Sequence, residues 1–302
     1  MPETRQAKPR DAAPGTASPA AGDWELKLLR TILADIKSGR LQLPSLPDVA
    51  LRVREAAQNP NRRVAELTRI VQMDPALAAR LVQVVNSPLY RAARKIDSCQ
   101  AAITRLGLAA TRNLVVSFTL RSLFRPHTRQ LEDRLQSTWR HSCKVGAISS
   151  VLARLTRGLD PDRAMLGGLV HDIGELPVLQ YLDEHPRQID GSGIATVLER
   201  LRGPLGTFVL KSWRFEDDLA RIPTEVESWS RDSGAATDYV DIVQVAHVHG
   251  LFGSSETRGA PTLAQLPAFQ KLPISTLGPD ASLELLEWSQ AEINDVLRIL
   301  HA

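Results

Sequence analysis

Two Asp-Pro steps, Asp74-Pro75 and Asp160-Pro161, each followed by an apolar run, constrain this chain more than any other feature. An aspartate carboxylate can accept from the free N–H groups of a first helical turn. A proline at the next position has the right φ and lacks an N–H that would go unpaired there. Helices therefore start at both steps. After the first, Leu77, Leu81, Val82 and Val85 form a stripe at helical spacing, and Asn86-Ser87-Pro88 stops it. After the second, "AMLGGLV" runs into His171-Asp172 and ends at Gly174.

The rest of the chain repeats this pattern. "DWELKLLRTILADIKSG" places Leu26, Leu29, Ile32, Leu33 and Ile36 at helical spacing, with Asp23 as cap and Gly39 as stop. A helix from Asp48 to about Ala57 turns Val49, Val53 and Ala56/Ala57 inward, and a short one carries Val64, Leu67, Ile70 and Val71. Asp97 or Ser98 caps "IDSCQAAITRLG", which Gly107 closes in a left-handed conformation. "AATRNLVVSFTLRSLF" continues as an apolar helix to before Pro126. Leu135, Trp139, Val145, Ile148 and Leu152 mark a long helix after it. "IATVLERLRG", "LGTFVLKSW" and "DYVDIVQVAHVHGLFG" read as further helices, with one or two in "ASLELLEWSQAEINDVLRIL". "ELPVLQYLDEHP", with its two prolines, is not assigned, and 253–280 reads as loop-rich. No stretch alternates as a strand. The expectation is an all-α, multi-helix bundle in four parts: a disordered Pro/Ala/Gly arm (1–22), an N-terminal bundle (23–126), a second helical subdomain packed on it (127–252), and a loop with a C-terminal helical extension (253–302).

Composition narrows the function classes. With 302 residues, 43% hydrophobic, the chain can bury a large core, and no run approaches roughly 18 apolar residues, so no membrane span is expected. The first 22 residues lack the apolar centre of a signal peptide, so Cys99 and Cys143 are expected as reduced thiols and the protein as cytoplasmic. A formal charge of +3, with arginines scattered along helical faces, does not make a nucleic-acid patch.

The residues able to do chemistry are few. His141 lies on one helix, His171-Asp172 at the end of another, and His247 and His249 on a third. Imidazoles and carboxylates converging from separate helices are how bundles hold metals. Asp172 carries most information, because a carboxylate beside "MLGGLV" is costly to bury unless paired or metal-bound. Each histidine also has a plainer reading as a satisfied core residue. His247 and His249, two apart, point to different sides of their helix. His127 and His185 read as loop residues.

"LPSLPDVALRVREAA", "VAELTRIVQMDPALAARLVQVVNSPLY", "IDSCQAAITRLGLAATRNLVVSF" and "GGLVHDIGELPVL", in this order, resemble the HDOD family over roughly residues 37–250. The family comprises bacterial signalling-output relatives of the HD metal-dependent phosphohydrolases. The resemblance implies that His141 matches the first metal ligand of the HD enzymes and His171-Asp172 the His-Asp pair. Their distant aspartate is matched here by His247. A histidine common in HDOD proteins is matched by Arg202, a candidate for phosphate contact, and a common His-His pair falls in "IPTEVESW". The implied ion is divalent: Zn, Fe, Mn or Mg. Replacing a carboxylate by imidazole keeps a zinc or iron ligand but removes charge that Mg²⁺ or Mn²⁺ would want.

Three functions follow. The first is a non-enzymatic regulatory module of bacterial signal transduction, acting through a signalling protein partner or a nucleotide and needing no cofactor. The second is a metal-dependent phosphohydrolase using His141, His171, Asp172 and His247. The third and weakest is a helix-turn-helix nucleic-acid binder in "AITRLGLAATRNLVVSF", whose apolar second helix leaves only Arg112 and Asn113 to reach a groove. No receiver, kinase or cyclase pattern is present, so input would come through a partner. The arm and the helix around Trp288, with Leu283, Leu286 and Ile293, are the places for one.

Overall fold

The computed structural model describes residues 23–58, 64–90, 94–124, 129–185, 193–234, 236–251 and 260–301. The expected arm, His127 and the side chain of Trp288 lie outside the described residues. The fold is all-α, as expected, with no strand among the described residues. Five helices come first: α1 (Asp23–Ser38), α2 (Asp48–Gln58), α3 (Val64–Gln72), α4 (Pro75–Val85) and α5 (Cys99–Leu120). Next are α6 (Arg129–Leu155), α7 (Pro161–Val170), α8 (Glu175–Glu184) and α9 (Gly193–Ser212). Two single turns follow, α10 (Asp217–Ala220) and α11 (Ile222–Glu225), then α12 (Tyr239–Leu251) and α13 (Pro267–Lys271). The extension expected as one or two helices is two, α14 (Pro279–Trp288) and α15 (Gln290–His301).

The start signals act as chemistry requires. Asp74 accepts from the Leu77 N–H at 3.1 Å, and Asp160 accepts from Asp162 and Arg163 at 2.8 and 3.2 Å. Ser98, one of the two expected caps, accepts from Ala101 at 3.2 Å. Gly107 has φ 81°, and α5 breaks there as expected. The α4 stripe differs by one residue: Val84 is buried with Leu77, Leu81 and Val85, whereas Val82 is only partly covered.

One unassigned stretch is now placed and two assignments are corrected. "ELPVLQYLDE" forms α8, because Pro177 falls in its first turn, where the missing N–H breaks no helical bond. The two helices expected around Gly203-Pro204 are one, α9, held through the proline by buried Leu201, Leu205 and Val209. The helix-turn-helix reading fails on burial. Asn113 is 1% exposed in the core, and Arg112 faces Glu216 at 3.7 Å.

One continuous apolar core joins the first five helices to the rest. Helix α5 packs on α2, α3, α4 and α7, while α6 packs on α7, α12 and α15. The α6–α7 contact is made backbone to backbone: a Cβ on Gly168 would sit 2.6 Å from the Gly146 Cα. Arg54 of α2, nearly buried, donates to the carbonyls of Trp213 and Arg214 (2.6 Å for the latter) and lies over the Phe215 ring. It thereby caps α9, whose exit residue Arg214 takes φ 58°, a left-handed conformation usually left to glycine. In the C-terminal extension Leu286 and Ile293 pack into the core, while Leu283 is exposed. Cys99 and Cys143 are free and buried. Among the described residues no helix is long and apolar enough to cross a membrane.

Candidate metal centre

Helix α7 is buried on every side and delivers His171 and Asp172 just past its last turn, beside α6 and α12. His141 comes from the middle of α6 and His247 from the last turns of α12. One ring nitrogen from each of the three histidines lies within 4.8 Å of the other two. His247 Nδ1 is 3.2 Å from both His141 Nε2 and His171 Nε2, and Asp172 Oδ2 is 3.0 Å from His171 Nε2. Gly250 makes room for this on α12, since a Cβ there would stand 3.2 Å from His141 Cε1. Three of the four residues expected from the sequence, the histidines, therefore converge, and the fourth, Asp172, touches one of them, His171. His249 does not join them; its Nε2 is 2.9 Å from Ser282 Oγ, on the other side of α12. His185, at the end of α8, donates from Nδ1 to the Tyr181 carbonyl at 2.9 Å.

Proton positions follow from the partners. His171 Nδ1 lies 2.6 Å from the Gly168 carbonyl, which only accepts, so Nδ1 carries the hydrogen and Nε2 faces the cluster. This is the support a metal-bound imidazole usually has. Burial lowers the pKa of His171, but the Asp172 carboxylate outweighs it and the net shift is upward. Burial works against the charge of Asp172, yet His171 and Arg202 hold its carboxyl well below the usual range. Burial takes His141 down to about 3 and also lowers His247, so both offer neutral rings at pH 7.

A second set of charges, of which only Arg202 was expected from the sequence, surrounds the four. Glu175, 1% exposed, pairs with Arg134 at 2.5 and 3.2 Å and accepts from Thr138 Oγ1 at 2.6 Å. Arg202 Nη1 reaches Asp172 Oδ1 at 3.6 Å and Glu175 Oε1 at 3.7 Å, and its Nη2 donates to Glu227. Burial opposes the guanidinium charge, but Asp172 and Glu227 prevail and raise its pKa. A signal for the α6 members was available: Arg134, Thr138 and His141 are four and three residues apart, a polar stripe at helical spacing. Glu175 lies three residues after Asp172 in an otherwise apolar run. These groups line a cavity of about 580 Å³ that also borders Glu227, Trp229 and Leu198.

The donor set fits a single divalent ion that favours nitrogen, such as zinc or iron: three converging imidazole nitrogens, with the Asp172 carboxylate at their edge, its Oδ2 3.0 Å from His171 Nε2 and its Oδ1 facing Arg202. It suits Mg²⁺, which wants oxygen ligands, poorly.

The HDOD domain model matches residues 43–227, more than half of the chain. The chain belongs to the HDOD family. A solved structure, that of a candidate metal-dependent phosphohydrolase of Shewanella amazonensis SB2B, is 27% identical with a TM-score of 0.75, covering 91% of this chain and 99% of that one. An HDOD domain protein of unknown function from Geobacter sulfurreducens, 22% identical, has a TM-score of 0.66 over 91% and 99% of the two chains. An uncharacterised protein of Treponema pallidum (strain Nichols) is 25% identical over 158 residues, 50% of this chain and 29% of that protein's length.

Proposed function

We propose that this HDOD protein is a non-hydrolytic, cytoplasmic regulatory module of signal transduction. In this reading the His141–His171–Asp172–His247 cluster holds one divalent ion as a structural and sensing centre, not as a catalyst. Arg202 carries the argument. Its guanidinium pairs with Asp172, Glu175 and Glu227, so the anionic charge beside the cluster is already met by an internal cation. A hydrolytic centre would direct that charge to its metal ions and to an activated water. The output is then contact with a signalling protein, or a nucleotide in the cavity, whose size and arginine-bearing wall suit one.

A second reading, hydrolysis of phosphoesters, is favoured by the three converging imidazoles with Asp172 beside them and by the name of the Shewanella relative. One experiment separates the two. Protein loaded with Zn²⁺, Fe²⁺ or Mn²⁺ is assayed on p-nitrophenyl phosphate, its bis ester and cyclic dinucleotides, beside Asp172→Ala. Regulation without hydrolysis predicts equal, background rates. Metal-dependent turnover that disappears in Asp172→Ala would overturn it.

A further inference from the structure

His247 stands where the HD resemblance calls for a carboxylate, so its imidazole must present one chosen nitrogen to the cluster. That nitrogen is Nδ1, 3.2 Å from the facing nitrogens of His141 and His171. The opposite nitrogen, Nε2, faces the Glu227 carboxylate at 3.7 Å. At that distance the contact is electrostatic, not a hydrogen bond; a carboxylate charge beside Nε2 favours hydrogen on that nitrogen and leaves the Nδ1 lone pair for an ion.

Glu227 is itself held in place. Arg202 donates to the same Oε1 that faces His247. Gln244, fully buried one turn before His247 on α12, donates to the carbonyls of Glu225 and Ser228 at 3.1 and 3.0 Å. The helix that carries the ligand thus pins the loop that carries the carboxylate. Trp229, two residues on, stacks on the His247 ring with 5.8 Å between centroids and 20° between planes. Trp229 thus covers the ring face and Glu227 faces the far nitrogen, both on a segment that Gln244 holds.

We propose that Glu227 is the positioning residue of this centre, selecting the His247 tautomer that makes imidazole a working substitute for the missing carboxylate. The inference rests on the metal-centre reading above, and it assigns the centre a preference for zinc-type ions. The test compares wild type, Glu227→Ala and Glu227→Gln. Long-range ¹H–¹⁵N spectra of metal-free protein report the His247 tautomer, and competition with a zinc chelator reports zinc affinity. Wild type should show hydrogen on Nε2. Glu227→Ala should lose that preference and bind zinc about 10–100-fold more weakly. Glu227→Gln keeps an acceptor oxygen and should restore the tautomer and most of the affinity. An unchanged tautomer and affinity in Glu227→Ala would overturn the proposal. Wild type that binds no zinc would sink the metal reading instead, and the tautomer comparison would still decide the role of Glu227.

Discussion

Asp162 is buried in the first turn of α7, where it accepts from the Tyr90 hydroxyl, and burial pushes its pKa up to about 6 against the help of that bond. In the unfolded chain it titrates near 3.8. Between these values the folded protein holds the proton and the unfolded chain does not, so stability from this group is full below pH 4 and is lost as pH rises through 6. The loss amounts to about 3 kcal/mol. Asp162→Asn cannot ionise and still offers Tyr90 an oxygen. Its stability relative to wild type should therefore increase from pH 4 to pH 7.5, read as urea midpoints. A difference independent of pH would show that Asp162 ionises normally. At this scale His141, His171, Asp172 and His247 were legible because titratable side chains are conspicuous in apolar helices. Glu227 was not: it sits in an acidic stretch that looks like ordinary surface, and only its facing His247 and Arg202 gives it a role.

Between elements, the turn after His171-Asp172 crosses α9 with no side chain in between. A Cβ on Gly174 would stand 1.8 Å from the Arg202 carbonyl oxygen and 2.4 Å from the Gly206 nitrogen, both backbone atoms that cannot rotate away. Gly174→Ala should cost about 3 kcal/mol or more and lower the melting temperature by about 6–12 °C. It should also push Arg202 from Asp172. A melting temperature within about 2 °C of wild type would mean that the crossing is looser than this geometry. Helix starts were legible where Asp-Pro or Ser supplied a local acceptor, because capping involves residues only two or three apart. Helix continuity was less so. Pro177 and Pro204 look like breaks, and their tolerance depends on where the helix begins and on what its buried face packs against.

For the whole molecule, an ion bound by α6, α12 and the α7–α8 turn would tie together elements that also carry the common core. Zinc at about 100 times its Kd should stabilise the fold by about 2.7 kcal/mol, raising the melting temperature by several degrees; chelation should reverse this and His171→Ala should abolish it. An equal response in wild type and variant would place the zinc elsewhere. The all-α class, most helix positions with their caps, and the candidate ligands of the cluster could be read along the chain. These depend on local spacing and on the cost of burying polar groups, both of which can be read from neighbours in the chain. That His141 and His247, 106 residues apart, bring Nε2 and Nδ1 to 3.2 Å, and that Arg202 and Glu227 close around them, emerges from the three-dimensional packing alone. Helical periodicity sets which face a residue occupies, but the nitrogen it presents and the charge it meets depend on how helices cross, and here those crossings are set by glycine contacts far apart in sequence.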